Sequence, residues 1–302
     1  MQYVLRTKGL TKHFKHHAAV NGLSMNVQKG DVYGFVGENG SGKTTVIRII
    51  SGLIFADGGG FELFGVDGGS KDIGQARKRM GAIVESPSVY LNMTAYDCLS
   101  MQCTILGIGT QGIESALEEV GLSYLLKDKK KVGDFSLGMR QRLGIAMALL
   151  GEPELLILDE PMNGLDPAGI VDIRELILRL NREKGITFII SSHILTELAL
   201  VATRYGIISR GKILKEISAE QLSKECEHTV VVRSDDDGAL LGLALSLGLD
   251  ASLADEGCII RGEVSLNDLL EGIIRQGIKI ESINCNQTSI EQYYLSVTGG
   301  RK

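Results

Sequence analysis

Gly37-Glu38-Asn39-Gly40-Ser41-Gly42-Lys43-Thr44-Thr45 is the stretch on which the reading of this chain turns. It follows the apolar run Val32-Tyr33-Gly34-Phe35-Val36, which reads as a buried strand. It precedes Val46-Ile47-Arg48-Ile49-Ile50, which reads as a helix packed on that strand. A strand, a glycine loop and a helix in that order are the setting that a phosphate-binding loop requires. Glycines let successive backbone N–H groups turn inward around an anion, and the helix that starts near Lys43 aims its positive end at the same point. Lys43 then reaches the β- and γ-phosphates, and the Thr44 hydroxyl is the expected ligand of Mg²⁺. All nine residues of the loop are expected to line a site for a nucleoside triphosphate and its metal.

Further along, Leu155-Leu156-Ile157-Leu158 is an apolar strand that ends in Asp159-Glu160. At the carboxyl edge of a parallel sheet such a pair lies beside the phosphate loop. Asp159 is expected in the Mg²⁺ shell. Glu160 is expected to face the γ-phosphate and polarise the attacking water, a role worth about 10²–10⁴-fold in rate. Phe135-Ser136-Leu137-Gly138-Met139-Arg140-Gln141-Arg142 precedes a helix. Ser136 suits an N-cap and Gly138 allows close approach to an anion, as at a second phosphate-facing helix start. Phe14, some twenty residues ahead of the phosphate loop, suits stacking on a nucleobase. A place in the core or at a sheet edge suits it equally. His13, His16 and His17 have no cysteine or carboxylate cluster beside them and read as a solvated loop rather than a metal site.

Between these motifs, short β-like runs occupy residues 1–36, at Tyr3-Val4-Leu5-Arg6, Leu23-Ser24-Met25-Asn26-Val27 and the strand into the loop. Phe61-Glu62-Leu63-Phe64-Gly65 and Gly81-Ala82-Ile83-Val84-Glu85 follow as strands, with a basic helical patch from Gln75 to Met80. From residue 86 to about 150 the strand signal gives way to helical periodicity over Ala95 to Leu106, Ile113 to Val120 and Arg140 to Leu150. Ile170 to Asn181 reads as an amphipathic helix and Ile186 to Ile190 as a buried strand leading to Ser191-Ser192-His193. A hairpin around Arg210-Gly211 closes the domain. Strands alternating with helices imply an α/β fold with a mostly parallel, covered sheet and a helical insert. From about Cys226 a βαββαβ pattern restarts, as in a ferredoxin-like α+β domain, and a helix from Ser289 to Val297 ends the chain. The expected domains are 1–222, with the helical part at about 86–150, and 223–302.

The chain has 302 residues, 32 basic and 37 acidic, for a net charge of −5. That balance gives no support to a nucleic-acid partner. The five cysteines have neither metal-ligand nor redox spacing and read as reduced thiols of a cytosolic protein. The N-terminus lacks signal-peptide anatomy. The longest weakly apolar stretch, Gly238 to Leu249, is too short to span a bilayer, so any membrane part is expected from another chain.

Together these segments resemble, in order and spacing, the ATP-binding subunits of ABC transporters: the phosphate loop, the Ser136 segment, Asp159-Glu160, Asn163-Gly164-Leu165-Asp166-Pro167 and His193. The resemblance covers about residues 2–220. It implies a P-loop ATPase with an antiparallel N-terminal β part, working as a pair of cassettes that sandwich two ATPs head to tail. Ser136 and Gly138 would then bind the γ-phosphate across the dimer. Glu160 would be the catalytic base, His193 the γ-phosphate switch, Asp166 the coupling residue between the sites, and Phe14 the adenine-stacking aromatic. Four positions depart from the usual family pattern. Leu137 and Met139 replace two signature residues, Met162 stands where threonine is usual, and Glu85 stands where glutamine is usual. Glu85 keeps an oxygen for Mg²⁺ or a water but adds a negative charge near the triphosphate.

Glu85, the Leu-Gly-Met signature, Pro161-Met162-Asn163-Gly164-Leu165-Asp166-Pro167 and the terminal Ser289-Ile290-Glu291-Gln292-Tyr293-Tyr294 resemble one subgroup, the ATPases of bacitracin-resistance and lantibiotic-immunity exporters. That implies an ATPase that drives export through membrane-spanning permease subunits, held at the inner face of the cell membrane. A cassette with different cargo, in export or import, is the alternative. A soluble ATPase acting on ribosomes or DNA would carry two cassettes, long coiled coils or a basic surface, which this chain lacks.

Overall fold

The computed structural model describes residues 2–15, 17–226, 228–254, 257–261, 265–287 and 290–299. His16 and Ser289, which entered the sequence reading, lie outside them. The chain divides into two compact units, Met1–Ala219 and Glu220–Lys302.

The first unit runs β1 (Tyr3–Phe14), β2 (His17–Leu23), β3 (Asn26–Gln28), β4 (Val32–Val36), α1 (Lys43–Ile50), β5 (Gly58–Leu63), β6 (Val66–Asp67), α2 (Ile73–Lys78) and β7 (Met80–Ile83). It continues with α3 (Ala95–Leu106), α4 (Ile113–Glu119), α5 (Leu137–Leu149), β8 (Leu155–Asp159), α6 (Pro167–Lys184), β9 (Thr187–Ser192), α7 (Leu195–Ala199), β10 (Arg204–Ser209) and β11 (Lys212–Ser218). Among the described residues the main sheet has six strands in the order β11-β10-β4-β9-β8-β7. All neighbours in it are parallel except the edge pair β10–β11. Every residue of β4, β8 and β9 is buried, which is why these strands read as unbroken apolar runs rather than alternating ones. β1, β2, β3, β5 and β6 form a separate antiparallel sheet. One core joins the two, with Leu5, Val27 and Leu63 from the antiparallel sheet meeting Phe35, Ile157 and Ile189 around Ile47 and Ile50 of α1.

Several boundaries differ from expectation for local reasons. Residues 23–27 are not one strand: β2 ends at Leu23 and β3 begins at Asn26. The Thr7 hydroxyl fills the gap, accepting from Met25 N–H at 2.9 Å and donating to Leu23 O at 3.2 Å. The strand expected at 61–65 lies at Gly58–Leu63, because Phe64 and Gly65, at φ 51° and 80°, make the turn. The strand expected to reach Glu85 stops at Ile83, and Glu85 turns out at φ 64°. The signature helix starts at Leu137 rather than Arg140, capped by the Ser136 hydroxyl, which accepts from Met139 N–H at 3.1 Å.

A polar knot ties the two sheets. The fully buried Tyr33 donates its hydroxyl to Glu216 Oε1 at 2.8 Å. The same carboxylate accepts from Asn26 N–H at 2.9 Å and from Asn26 Nδ2 at 3.1 Å. Burial, with Glu216 alongside, pushes the Tyr33 phenol well above its usual value. Gly206 is the seat of this ring, since a Cβ there would lie 2.0 Å from the Tyr33 oxygen.

Helix α8 (Ala219–Glu225) begins at the last residue of the first unit, and the second unit continues with β12 (His228–Ser234), α9 (Asp237–Ser246), β13 (Asp250–Ala254), β14 (Gly257–Arg261), α10 (Leu266–Gln276), β15 (Ile280–Gln287) and α11 (Ile290–Thr298). The succession from β12 to β15 is the βαββαβ read in the sequence. The sheet order is β13-β14-β12-β15, with every neighbour antiparallel. Val230, Val232, Cys258 and Ile260 of the sheet pack on Leu240, Ala244, Leu269 and Ile273 of the helices.

Candidate nucleotide site

The phosphate loop leaves the carboxyl end of β4, and β9 and β8 end next to it: Val36 is in register with Ser192, and Asp159 with Ser191. This brings Gly37–Thr45, Asp159-Glu160 and His193 to one edge of the sheet. Gly42 adopts φ 111°, and a Cβ on it would lie 2.4 Å from the Ala19 carbonyl of β2. No side chain caps α1 at Gly42, so its first N–H groups are left for an incoming anion. Lys43 is only 5% exposed. Its Nζ donates to Gly37 O at 2.6 Å and to Glu38 O at 3.2 Å, and stands 3.5 Å from Glu160 Oε1.

Glu160 is held by its backbone as well as its side chain. It sits at φ 50°, and its N–H donates to Ser191 O at 3.1 Å and Ser191 Oγ at 3.0 Å. The Ser191 hydroxyl donates in turn to Asp159 Oδ1. Oε2 of Glu160 lies 2.8 Å from His193 Nδ1. Oε1 is buried and has no hydrogen-bond partner, and the same is true of Ser41 Oγ in the loop. The unpartnered Ser41 hydroxyl, beside an uncapped helix start and a buried lysine, fits an anionic ligand, and the Glu160 Oε1 left without a hydrogen bond fits a donor such as a water. The donor set also fits Mg²⁺: Thr44 and Asp159 offer a hydroxyl and a carboxylate, the hard oxygen chemistry that Mg²⁺ takes alongside phosphate oxygens.

The remaining sequence candidates lie apart from this cluster. Among the described residues no hydrogen bond or ion pair joins Ser136 or Gly138 to the phosphate loop. Gly138 faces Leu165, and Leu137 reaches Gly164, so the signature segment gathers with the turn 163–166. Asp166 caps α6, accepting from Gly169 N–H at 3.2 Å. Phe14 is 47% exposed at the end of β1, with Lys12 over its ring. Glu85 does not face the Lys43–Asp159 cluster: its Oε1 accepts from Arg48 at 2.6 Å.

Two contributors went unread in the sequence. Ser191 braces the Asp159 carboxylate and the Glu160 amide; a hydroxyl at the end of a fully buried strand was its only signal. The turn after β10 holds the phosphate loop from outside. Gly211 N–H donates to Ser41 O at 2.8 Å, and Gly211 O accepts from Asn21 N–H at 2.9 Å. Backbone bonds of this kind leave no mark on residue type.

The ABC transporter family model matches residues 20–163. The bacitracin transport ATP-binding protein BcrA of Bacillus licheniformis is 41% identical over 99% of this chain and 99% of its own length. The chain belongs to the ABC transporter family. It is an ATP-binding subunit of that family of transport-coupled ATPases. The lantibiotic transport ATP-binding protein SrtF of Streptococcus pyogenes is 42% identical over 70% of this chain and 90% of its own length. Among solved structures, cbiO1 from Clostridium perfringens, part of the ABC transporter complex cbiONQ, superposes with a TM-score of 0.67 at 25% identity, over 82% of this chain and 97% of that one. Among the described residues no helix is long and apolar enough to cross a membrane.

Proposed function

We propose that this ABC subunit powers the export of a peptide antibiotic of the bacitracin or lantibiotic type through separate membrane-spanning subunits. The carrying observation is Glu160, fixed between Lys43 and His193 at the mouth of the phosphate loop. The likeness to bacitracin and lantibiotic transport proteins supports the cargo class.

ATP is the substrate. Gly37–Thr45 bind its phosphates, Lys43 neutralises β- and γ-oxygens, and Phe14 stacks on the base. Thr44 and Asp159 would hold Mg²⁺, which supplies charge neutralisation on the phosphate oxygens. Glu160 Oε1 accepts a hydrogen bond from the attacking water and takes its proton. His193 holds the far oxygen of that carboxylate and faces the γ-phosphate. The signature segment lies apart from this cluster, so a second cassette supplies Ser136 and Gly138, and Asp166 links the two sites. Contacts that exist only in the closed pair give ATP its preference for closure, and losing the γ-phosphate releases them.

A groove of about 250 Å³ between the end of β7 and helices α3 and α5, lined by Ile83, Val84, Pro87, Gln102, Leu106 and Met147, is where a cytoplasmic helix of the membrane partner would dock. That would place the chain on the inner membrane face. The test is to express it with its neighbouring membrane subunits in a sensitive bacterium. The inhibitory concentration of bacitracin or a lantibiotic should rise with wild type and not with Glu160→Gln. Unchanged sensitivity to every such peptide would overturn the cargo reading.

A further inference from the structure

Arg48 follows Thr44 by four residues on α1, so the two share a helix face with Cβ atoms about 5–6 Å apart. Its Nη2 donates to Glu85 Oε1 at 2.6 Å. Glu85 holds the same rank at the sheet edge as Glu160. Ile83 is in register with Leu158, and two residues further on each strand leads to a glutamate at positive φ, 64° and 50°. Helix α1 thus supplies a cation to each of two adjacent strand ends, Lys43 to Glu160 and Arg48 to Glu85.

The two pairs differ in burial. The Lys43 and Glu160 side chains are 5% and 19% exposed, while those of Arg48 and Glu85 are 38% and 62% exposed. Solvent screens the second pair, so it exchanges readily. A second acidic group close to a triphosphate also repels it unless a cation answers its charge.

We propose that Arg48 is a positioning residue that holds the Glu85 carboxylate one helical turn short of Thr44, in competition with Mg²⁺ for that carboxylate. Without nucleotide, the arginine neutralises Glu85 and keeps it out of the phosphate site. With metal and triphosphate in place, the divalent charge draws Glu85 off Arg48 and turns the loop 84–87. That loop carries Val84 and Pro87, which line the groove between β7 and α5. The inference rests on the reading that the phosphate loop takes Mg²⁺ and ATP together.

The test is a double-mutant cycle on the full chain, read by the fluorescence of a labelled ATP analogue as Mg²⁺ is titrated. Arg48→Gln should lower the half-saturating Mg²⁺ concentration about two- to five-fold, the range of an exposed ion pair. In a Glu85→Gln background the same substitution should leave it unmoved. An equal shift in both backgrounds would mean a general loss of positive charge and would overturn the proposal, as would no shift or an upward one in the wild-type background. If wild type shows no Mg²⁺-dependent binding that Lys43→Ala abolishes, the reading of the site itself falls, and the inference with it.

Discussion

His193 Nδ1 and Glu160 Oε2 are 2.8 Å apart, and the other oxygen of that carboxylate is buried without a hydrogen-bond partner. One side of the group is therefore held by His193, and the other, 3.5 Å from Lys43, keeps an acceptor position open for a proton. Glu160→Gln keeps the shape and loses the base. It should bind ATP as wild type does and hydrolyse it at least about 10²-fold more slowly, with cassette pairs accumulating at saturating ATP. Phosphate release and size-exclusion chromatography read the two effects, and wild-type turnover in this variant would sink the assignment.

Ser191→Ala removes the hydroxyl that serves Asp159 and the Glu160 amide. A buried carboxylate oxygen then loses its partner, at about 1–3 kcal/mol. The expected result is a fall in kcat and a higher Mg²⁺ requirement, with nucleotide affinity in the absence of metal unchanged. A steady-state Mg²⁺ titration checks it.

Glu85→Gln restores the amide usual in the family and releases Arg48. ATP binding should stay within about two-fold, since the pair it breaks is exposed. Peptide resistance should change out of proportion to ATPase rate. Equal proportional loss of both would argue against a coupling role.

The knot at Tyr33 predicts a ranking of stabilities. Tyr33→Phe removes one hydrogen bond, worth about 1 kcal/mol. Glu216→Ala leaves the buried phenol and the Asn26 groups without their acceptor, and should cost more, about 1–3 kcal/mol. Urea denaturation of the two variants gives the order, and the reverse order would count against the network.

Asp31 and Asp57 should respond to acid in opposite directions. Burial raises the Asp31 carboxyl above the ordinary 3.8, against its bond to Gln28 N–H and the nearby Arg204. The folded state then holds the extra proton, and stability falls as pH rises through the window just above 3.8. At Asp57 the Lys12 hydrogen bond, with the His13 amide, lowers the value below 3.8. Its stabilising contribution is present above 3.8 and is lost as pH falls below it. NMR titration of the two carboxyls should place their midpoints on either side of 3.8.

The arrangement of the candidate site was legible wherever it lay in one unbroken motif. Gly37–Thr45 and Leu155–Glu160 each carry their own strand, so residue type and spacing sufficed to place Lys43, Asp159 and Glu160. Ser136 was readable as a helix cap, though not that its helix begins directly after it. What escaped depends on pairing between distant segments. The register that sets Ser191 beside Asp159 has no local signature. Nor does the positive φ of Glu85 and Phe64, residues that rarely take it, which shortened one expected strand and displaced another. Arg48 read as one more helical residue until Glu85 turned toward it.

The hold on the phosphate loop from outside, Ser41 O to Gly211 N–H and Gly211 O to Asn21 N–H, is made of amides alone. An alanine scan would pass over it, because replacing the Asn21 side chain removes neither bond. Proline at position 21, which deletes the N–H, is the substitution that reaches it. The β1–β2 hairpin that bears Phe14 is thus fastened through Gly211 to the phosphate loop by bonds that depend on no side chain.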